Sequence, residues 1–486
     1  MDIDIKSLIT KGEHSQVESK KTARGIPDSL WESYSAFANT SGGVILLGVS
    51  ELAGKLEITD VSESAKKIKN IWDILNDKKK INVNILFERN VFVHKENDKE
   101  IIVIKVPRAD RHDKPVFINN DLMNGTFRRN AEGDYHCSLS EIKSMLRDQS
   151  DIPIDGVVFD EITFDDLDKD TVKRYRNMFS VLKPEHIWNR LDDIAFLHKI
   201  GALGRAETSE LKPTLAGLVM FADEDVITRI LPDYFLDFRE KYDNDRWSDR
   251  VVSNLGEWSG NIFDFFFKIA NRLTADIKRP FQMRDNIYRE DDTSIHKALR
   301  EALANALIHA DYYGRRGIVI EKKKHLITFE NPGSFRPDIA EVMNGGITDP
   351  RNPNIFKMFA LLDIGERAGS GLHTIHTIWQ DAGWDLPVLS EQIEPARTML
   401  LVPIEIENNE GINAESEGIN SKDEGINALV RTITLYPGNR AVFLGDKLQI
   451  PVKTIERWLK KLKDENQIEF QGSKKTGGYW KIIKQQ

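Results

Sequence analysis

The spacing of apolar residues changes along this chain, and each change marks an element. Leu30, Tyr34, Phe37 and Ala38 recur at helical intervals, which predicts a helix over Leu30–Asn39. Thr40-Ser-Gly-Gly then turns the chain into an unbroken apolar run, Val44-Ile-Leu-Leu-Gly-Val, read as a buried strand. Gly42 and Gly43 in that turn permit positive φ and a close approach of helix to strand. Ile101–Val106, stopped by Pro107, reads as another strand. Further on, Asp165–Leu182 and Asn261–Arg279 read as helices, and Thr214–Phe221 and Tyr234–Arg239 as strands. Ile295–His309 reads as a helix with Ser294 as its N-cap, followed by the strand Ile327–Glu330 and an Asn331-Pro-Gly-Ser turn. Near the end come a helix over Ala441–Leu448, a turn at Ile450-Pro-Val, a second helix from Lys453, and a hairpin from Ile468 to Ile482.

A chain of 486 residues with 40% hydrophobic and 30% charged residues has the make-up of several globular domains, about three to four at ~100–200 residues each. The predicted class is α/β (α+β) and multidomain. The expected divisions are 1–148, a connecting α/β region 149–290, 291–405, a linker 406–428 and 429–486. The linker repeats Glu-Gly-Ile-Asn at 410, 417 and 424, too polar to build a core. Cys137 is the only cysteine, which excludes an internal disulfide and a multi-cysteine zinc site. No apolar run approaches the ~18 residues of a membrane span, and Met1–Lys11 lacks the apolar core of a signal peptide, so the expected location is cytoplasmic. Charge is uneven. Residues 429–486 carry 12 Lys/Arg against 5 Asp/Glu, a net of +7, which leaves −16 on the rest of a chain whose total is −9. A basic appendage on an acidic body fits contact with nucleic acid; a merely basic surface is the plainer reading.

The first chemical cluster lies at residues 13–51. If Val17–Lys20 is a strand, Glu18 and Lys20 share a face. Carboxylates brought together there can hold Mg²⁺ or Mn²⁺ through oxygen, and Lys20 can meet a phosphate. Gly12-Glu13, Val17-Glu18-Ser-Lys20, Ser35-Ala-Phe-Ala-Asn39-Thr-Ser-Gly-Gly43 and Gly48-Val49 together resemble the Schlafen-type AlbA domain over roughly residues 8–145. The resemblance implies binding of RNA or DNA, and in nuclease members a three-carboxylate metal site. Glu13 and Glu18 stand at its first two positions. Glu51, in Ser50-Glu51, stands where an Asp is expected. The resemblance also places Arg128 and Arg129 on an arginine-bearing strand facing nucleic acid. Arg108, Arg111, His112 and Lys114 are further cations available to phosphates. Surface carboxylates beside a binding groove, without chemistry, remain the alternative.

The second cluster lies at residues 294–404. Glu301, Asn305 and His309 are four apart on one face of an otherwise Ala/Leu-rich helix, and such a polar stripe asks for a ligand or solvent. Glu301 and Asn305 can hold Mg²⁺ and a water over a triphosphate. Gly369 and Gly371, opening another helix, can bring backbone N–H groups to phosphates. This order resembles the Bergerat-fold ATP-binding family of gyrase B, MutL and histidine kinases, and more nearly a divergent branch found behind AlbA domains. The resemblance implies Asn305 on Mg²⁺, Glu301 as the water-positioning catalytic residue, and Asn331 with Gly333 in the place of an adenine-reading Asp-x-Gly. It also puts Arg351 and Asn352 in a lid over ATP, and suggests a homo-oligomer by analogy.

The third cluster, 429–486, looks like a winged helix-turn-helix. Lys453, Arg457, Lys460 and Lys461 would face DNA, and Lys474 and Lys475 on the wing would meet phosphate. Three readings stay open. One is an ATP-controlled nuclease or weak ATPase acting on nucleic acid, for instance in anti-phage defence. Another is a non-enzymatic, ATP-responsive DNA-binding transcriptional regulator. The third is an assembly protein whose ATP site only controls oligomerisation.

Overall fold

The computed structural model describes residues 8, 14–22, 25–52, 55–96, 98–241, 247–275, 277, 283–284, 288–289, 293–337, 339, 342, 349–365, 371–405, 429–430, 432–433, 438–448, 452–464, 467–471 and 478–481. The chain divides into two compact units, Met1–Ile406 and Glu407–Gln486.

The first unit opens with a four-stranded sheet. Its strands are β1 (Val17–Lys20), β2 (Gly43–Leu47), β5 (Val91–Glu96) and β6 (Lys99–Val106), in the order β1-β2-β6-β5; the ladder β3 (Val49–Leu52) with β4 (Lys55–Ile58) lies apart from it. β1 runs parallel to β2, and the other pairs are antiparallel. Helix α1 (Ser29–Asn39) packs Leu30, Tyr34 and Phe37 onto β2 and β6 in one apolar core. Gly42 and Gly43 make that approach possible. A Cβ on Gly43 would lie 2.5 Å from the Phe37 ring, and Gly42 has φ +73° with no room for a Cβ beside Arg108 N. α2 (Ser64–Leu75) lies against β5 and β6, β7 (Phe127–Asn130) pairs with β8 (Gly133–His136), and α3 (Leu139–Gln149) follows. α3 begins on a capping box, with the Ser138 and Glu141 side chains each satisfying the other's backbone N–H.

Residues 162–404 share a second core. The segment expected as a connecting region, 149–290, therefore packs with 291–405. They also share a six-stranded sheet in the order β12-β11-β15-β16-β18-β17, formed by β11 (Leu236–Lys241), β12 (Asp249–Val252), β15 (Ile318–Lys323), β16 (Leu326–Pro332), β17 (Val388–Gln392) and β18 (Arg397–Pro403). Two small hairpins, β9 (Leu203–Arg205) with β10 (Leu211–Pro213) and β13 (Met283–Arg284) with β14 (Tyr288–Arg289), stand outside it. The helices are α4 (Lys169–Leu182), α5 (Asp193–Ile200), α6 (Leu215–Phe221), α7 (Glu224–Ile230), α8 (Ile262–Thr274), α9 (Ser294–Ile308), α10 (Pro353–Leu361) and α11 (Gly371–Asp381).

The strand expected at Thr214–Phe221 is helix α6. Thr214 Oγ1 caps it by accepting from Gly217 N, and Leu215 through Phe221 are buried on every side. Gly217 lies against Ala202, where a Cβ would be 2.0 Å from the carbonyl oxygen. A continuous apolar run carries no period to tell a buried strand from a buried helix, so only the packing decides. The cap expected at Ser294 is Thr293, whose extended backbone and Oγ1 precede the helix by one residue.

The second unit contains α12 (Ala441–Leu448), α13 (Val452–Asp464) and the antiparallel hairpin β19 (Ile468–Gln471) with β20 (Gly478–Lys481). Ile455, Leu459 and Leu462 of α13 bury against Leu444 and Ile468. Among the described residues, no helix is long and apolar enough to cross a membrane. The Glu-Gly-Ile-Asn repeats lie outside the described residues.

Candidate functional site

Helix α9 buries Leu299, Leu303 and Leu307 in the core. That fixes its rotation, so Glu301, Asn305 and His309 line a cavity over the sheet. Asn305 Nδ2 donates to Glu301 Oε1 at 3.2 Å. Asn331 of β16 and Thr398 of β18, partners in register, form the floor. The opposite wall is the start of α11. A Cβ on Gly371 would lie 2.9 Å from Glu301 Oε1 and 3.1 Å from Asn305 Nδ2, so glycine lets the helix end approach the acid and the amide. Phe329, Leu372, Leu389 and Leu400 supply apolar lining. The cavity has room for the centres of water molecules over about 120 Å³ and opens to solvent. Burial and the charges of Arg351 and Arg336 push the pKa of His309 down to about 4, so its ring is neutral near pH 7.

Arg351 and Asn352, expected in a lid, belong to the frame of this cavity. Arg351 is 3% exposed. It grips Asp148 of α3 through two hydrogen bonds of 2.9 and 2.7 Å, and donates to the carbonyls of His309 (2.7 Å) and Ser334 (2.9 Å). Arg336 adds a third bond to Asp148, at 3.1 Å. Burial alone would raise the Asp148 pKa, but the two guanidinium groups overcome it and hold the carboxyl down to about 2. Asn352 is wholly buried, and its amide donates to the carbonyls of Ile308 and Ala310, both at 2.8 Å. Gly333, with φ +100°, passes so close to Arg351 that a Cβ would be 2.3 Å from Nη1. Its conformation serves the arginine. Gly369 lies outside the described residues.

Of the expected carboxylate site, Glu18, Lys20 and Glu51 lie among the described residues. Glu18 and Lys20 do share a face of β1, with Lys20 Nζ 2.7 Å from Glu18 Oε1. Arg129 Nη2 lies 2.8 Å from Glu18 Oε2, and Arg129 Nη1 lies 2.9 Å from Asp134. Both Glu18 oxygens thus face cations. Arg129 is 3% exposed and turned inward, also over the Phe37 ring, rather than toward a nucleic-acid strand. Arg128 pairs with Glu394 at 2.6 Å and with Glu141 at 3.3 Å. Glu51 is exposed on β3, and Glu13 lies outside the described residues. Among the described residues, no group of three or more His, Cys, Asp or Glu side chains is placed to hold a metal.

The Ala-Phe-Ala-Asn39 segment has a structural task. The Asn39 amide donates to the carbonyls of Val116 (2.8 Å) and Phe127 (3.0 Å) and accepts from Val116 N (2.8 Å). It thereby stitches the end of α1 to two neighbouring segments. In the second unit, Ile455, Leu459 and Leu462 face inward, so Lys453, Arg457, Lys460 and Lys461 are exposed on the rest of α13. Lys474 and Lys475 lie outside the described residues. Sequence reasoning missed Thr398 and Asp148, because nothing local marks a Thr or an acid whose partner is far along the chain.

Residues 3–138 match the family model described as Schlafen, AlbA_2, and residues 143–237 match a domain of unknown function, DUF8451. No curated protein matches the chain. Among solved structures, the DIP2311 protein from Corynebacterium diphtheriae is similar at 16% identity and TM-score 0.38, covering 96% of this chain and 95% of that one. The N-terminal domain of a putative ATP-dependent DNA helicase RecG-related protein from Nitrosomonas europaea is similar at 23% identity and TM-score 0.21, covering 28% of this chain and 90% of that one.

Proposed function

We propose that this chain is an ATP-responsive, nucleic-acid-directed protein, with the α9 cavity as its nucleotide site. The observation that carries the reading is the convergence of Glu301, Asn305, Asn331 and the start of α11 on one cavity. The donor set suits a magnesium nucleotide. Glu301 and Asn305 offer hard oxygen atoms, and the α11 N-terminus offers backbone N–H groups to phosphate. Asn331, beside the apolar lining, can both donate to and accept from a base edge. Bound Mg²⁺ would neutralise charge between the phosphates. Glu301 would orient a water beside them, and Asn305 would hold Glu301 in place. On this reading residues 291–405 are a Bergerat-type ATP module.

Residues 429–486 would be a winged helix-turn-helix, with the exposed cations of α13 toward DNA. The Schlafen AlbA_2 match at 3–138 supports association with nucleic acid. A binder controlled by nucleotide is favoured over a metal-dependent nuclease, because Glu18 is already neutralised by Lys20 and Arg129. The test is titration of a fluorescent ATP analogue with Mg²⁺, alongside DNA and RNA binding with and without ATP. Asn305→Ala is expected to weaken nucleotide binding about tenfold or more and to remove any effect of ATP on nucleic-acid affinity. Equal nucleotide affinity in wild type and Asn305→Ala would overturn the site.

A further inference from the structure

A second, smaller cavity lies where the 108–114 segment, α3, the 334–336 segment and the β17–β18 turn meet. It has room for the centres of water molecules over about 90 Å³, enough for roughly six waters at the volume one water needs. Its walls are rich in cations, and most are balanced. Arg108 Nη1 pairs with Glu391 at 2.7 Å, Arg336 with Asp148 at 3.1 Å, and Arg111 with Asp349 at 2.9 Å.

Lys114 is not balanced. It is 9% exposed, and its ammonium donates to one acceptor among the described residues, the Asn39 carbonyl at 2.9 Å. No carboxylate among the described residues pairs with it. Arg108 Nε is also buried without an acceptor. Lys114, with two further N–H donors, and Arg108 thus line a small cavity, and a buried donor without a partner is costly.

We propose that this cavity binds a small oxyanion of the phosphate or sulfate class, held by Lys114 and Arg108. An oxyanion accepts several hydrogen bonds at once and supplies the missing negative charge. Ser334, Phe335 and Arg336 border both this cavity and the nucleotide cavity, so the ion would brace their common wall.

Proton linkage gives a signature that a purely structural lysine lacks. Burial, with Arg108, pushes the Lys114 pKa down to about 7, while Glu391, Asp148 and Cys137 act the other way. At pH 8 the amine is mostly neutral. A bound anion draws a proton onto it, whereas at pH 5.5 the proton is already there.

The experiment is calorimetric titration of the full chain with sulfate, which does not itself titrate in this range, in Tris and in HEPES at pH 8 and in MES and in piperazine at pH 5.5. Saturable one-to-one binding is expected, with uptake close to one proton at pH 8 and close to none at pH 5.5. Lys114→Met is expected to weaken sulfate about tenfold or more, and Lys114→Arg to retain most of the affinity. Should Lys114→Met fail to fold, the proton uptake of the wild type decides alone. Absence of saturable binding, or binding without uptake at pH 8, overturns the proposal. Sulfate displaced by an ATP analogue would place the anion in the nucleotide cavity, and displacement by a short oligonucleotide would assign these groups to a nucleic-acid backbone. Either result also overturns it.

Discussion

Glu18 and Glu301 look alike in the sequence, each an acid beside other polar groups, and the fold gives them different surroundings. Glu18 sits on β1 between Lys20 and Arg129, within a network that continues to Asp134. Glu301 sits on α9 at the wall of a cavity, beside an amide and the glycine start of a helix. An acid held between two cations at hydrogen-bond distance is a fastening. A metal would have to displace both cations to use it. Glu301 is grouped with Asn305 and Asn331 along a cavity wall. What separates a structural acid from a candidate functional one here is whether it lines a cavity.

That contrast can be broken most sharply at Glu18. Glu18→Ala leaves the nearly buried Arg129 with Asp134 as its remaining carboxylate partner among the described residues. It is expected to cost about 3 kcal/mol of stability, the scale for breaking a buried ion pair. Glu301→Gln is expected to leave the urea midpoint nearly unchanged while abolishing any nucleotide-dependent response. The reverse pattern, a stable Glu18→Ala and an unfolded Glu301→Gln, would sink the comparison.

A somewhat smaller effect is expected from acid. The Asp148 pKa is depressed to about 2 by Arg351 and Arg336, against the opposing effect of burial. A depressed carboxylate contributes stability that is fully present above its unfolded pKa, near ~4, and disappears as pH falls through its folded pKa. About 2 kcal/mol should therefore vanish between about pH 4 and pH 2. Asp148→Asn should flatten that part of the stability–pH curve. An unchanged slope in the variant would show that the Arg351 clamp is not what titrates.

The smallest effect concerns α13. Removing one of Lys453, Arg457, Lys460 or Lys461 should weaken DNA binding about equally across sequences, and lower the salt slope by about 1 for each phosphate left without its cation. A weakening confined to one DNA sequence would instead mean that the residue reads a base.

The hydrophobic pattern carried much of the fold. Helix α1, strands β2 and β6, helix α9 and the two helices and hairpin of the second unit were all legible, because amphipathic spacing and glycine turns are local properties. The fully apolar stretch 214–221 was not legible, since a segment buried on all sides has no polar phase. Of the candidate sites, the face shared by Glu301, Asn305 and His309 followed from helical spacing alone. Arg129, Arg351 and Asn352 are polar and so read as ligand-facing, yet each is held by partners within the fold. Arg129 meets Glu18, Asn352 meets the end of α9, and Arg351 meets Asp148 of α3. None of these partners is a near neighbour along the chain, so no local pattern could announce them.

By itself the sequence determined which residues share a helix face, where the turns fall, and that the C-terminal segment is basic. The tertiary structure decided which charges are already matched. Glu18 and Arg129 neutralise one another, Asp148 fastens Arg351, and Lys114 is left at a cavity wall with no carboxylate partner among the described residues. The physical reason is that a charge's role depends on what lies within a few ångströms of it, and those neighbours come from segments distant along the chain.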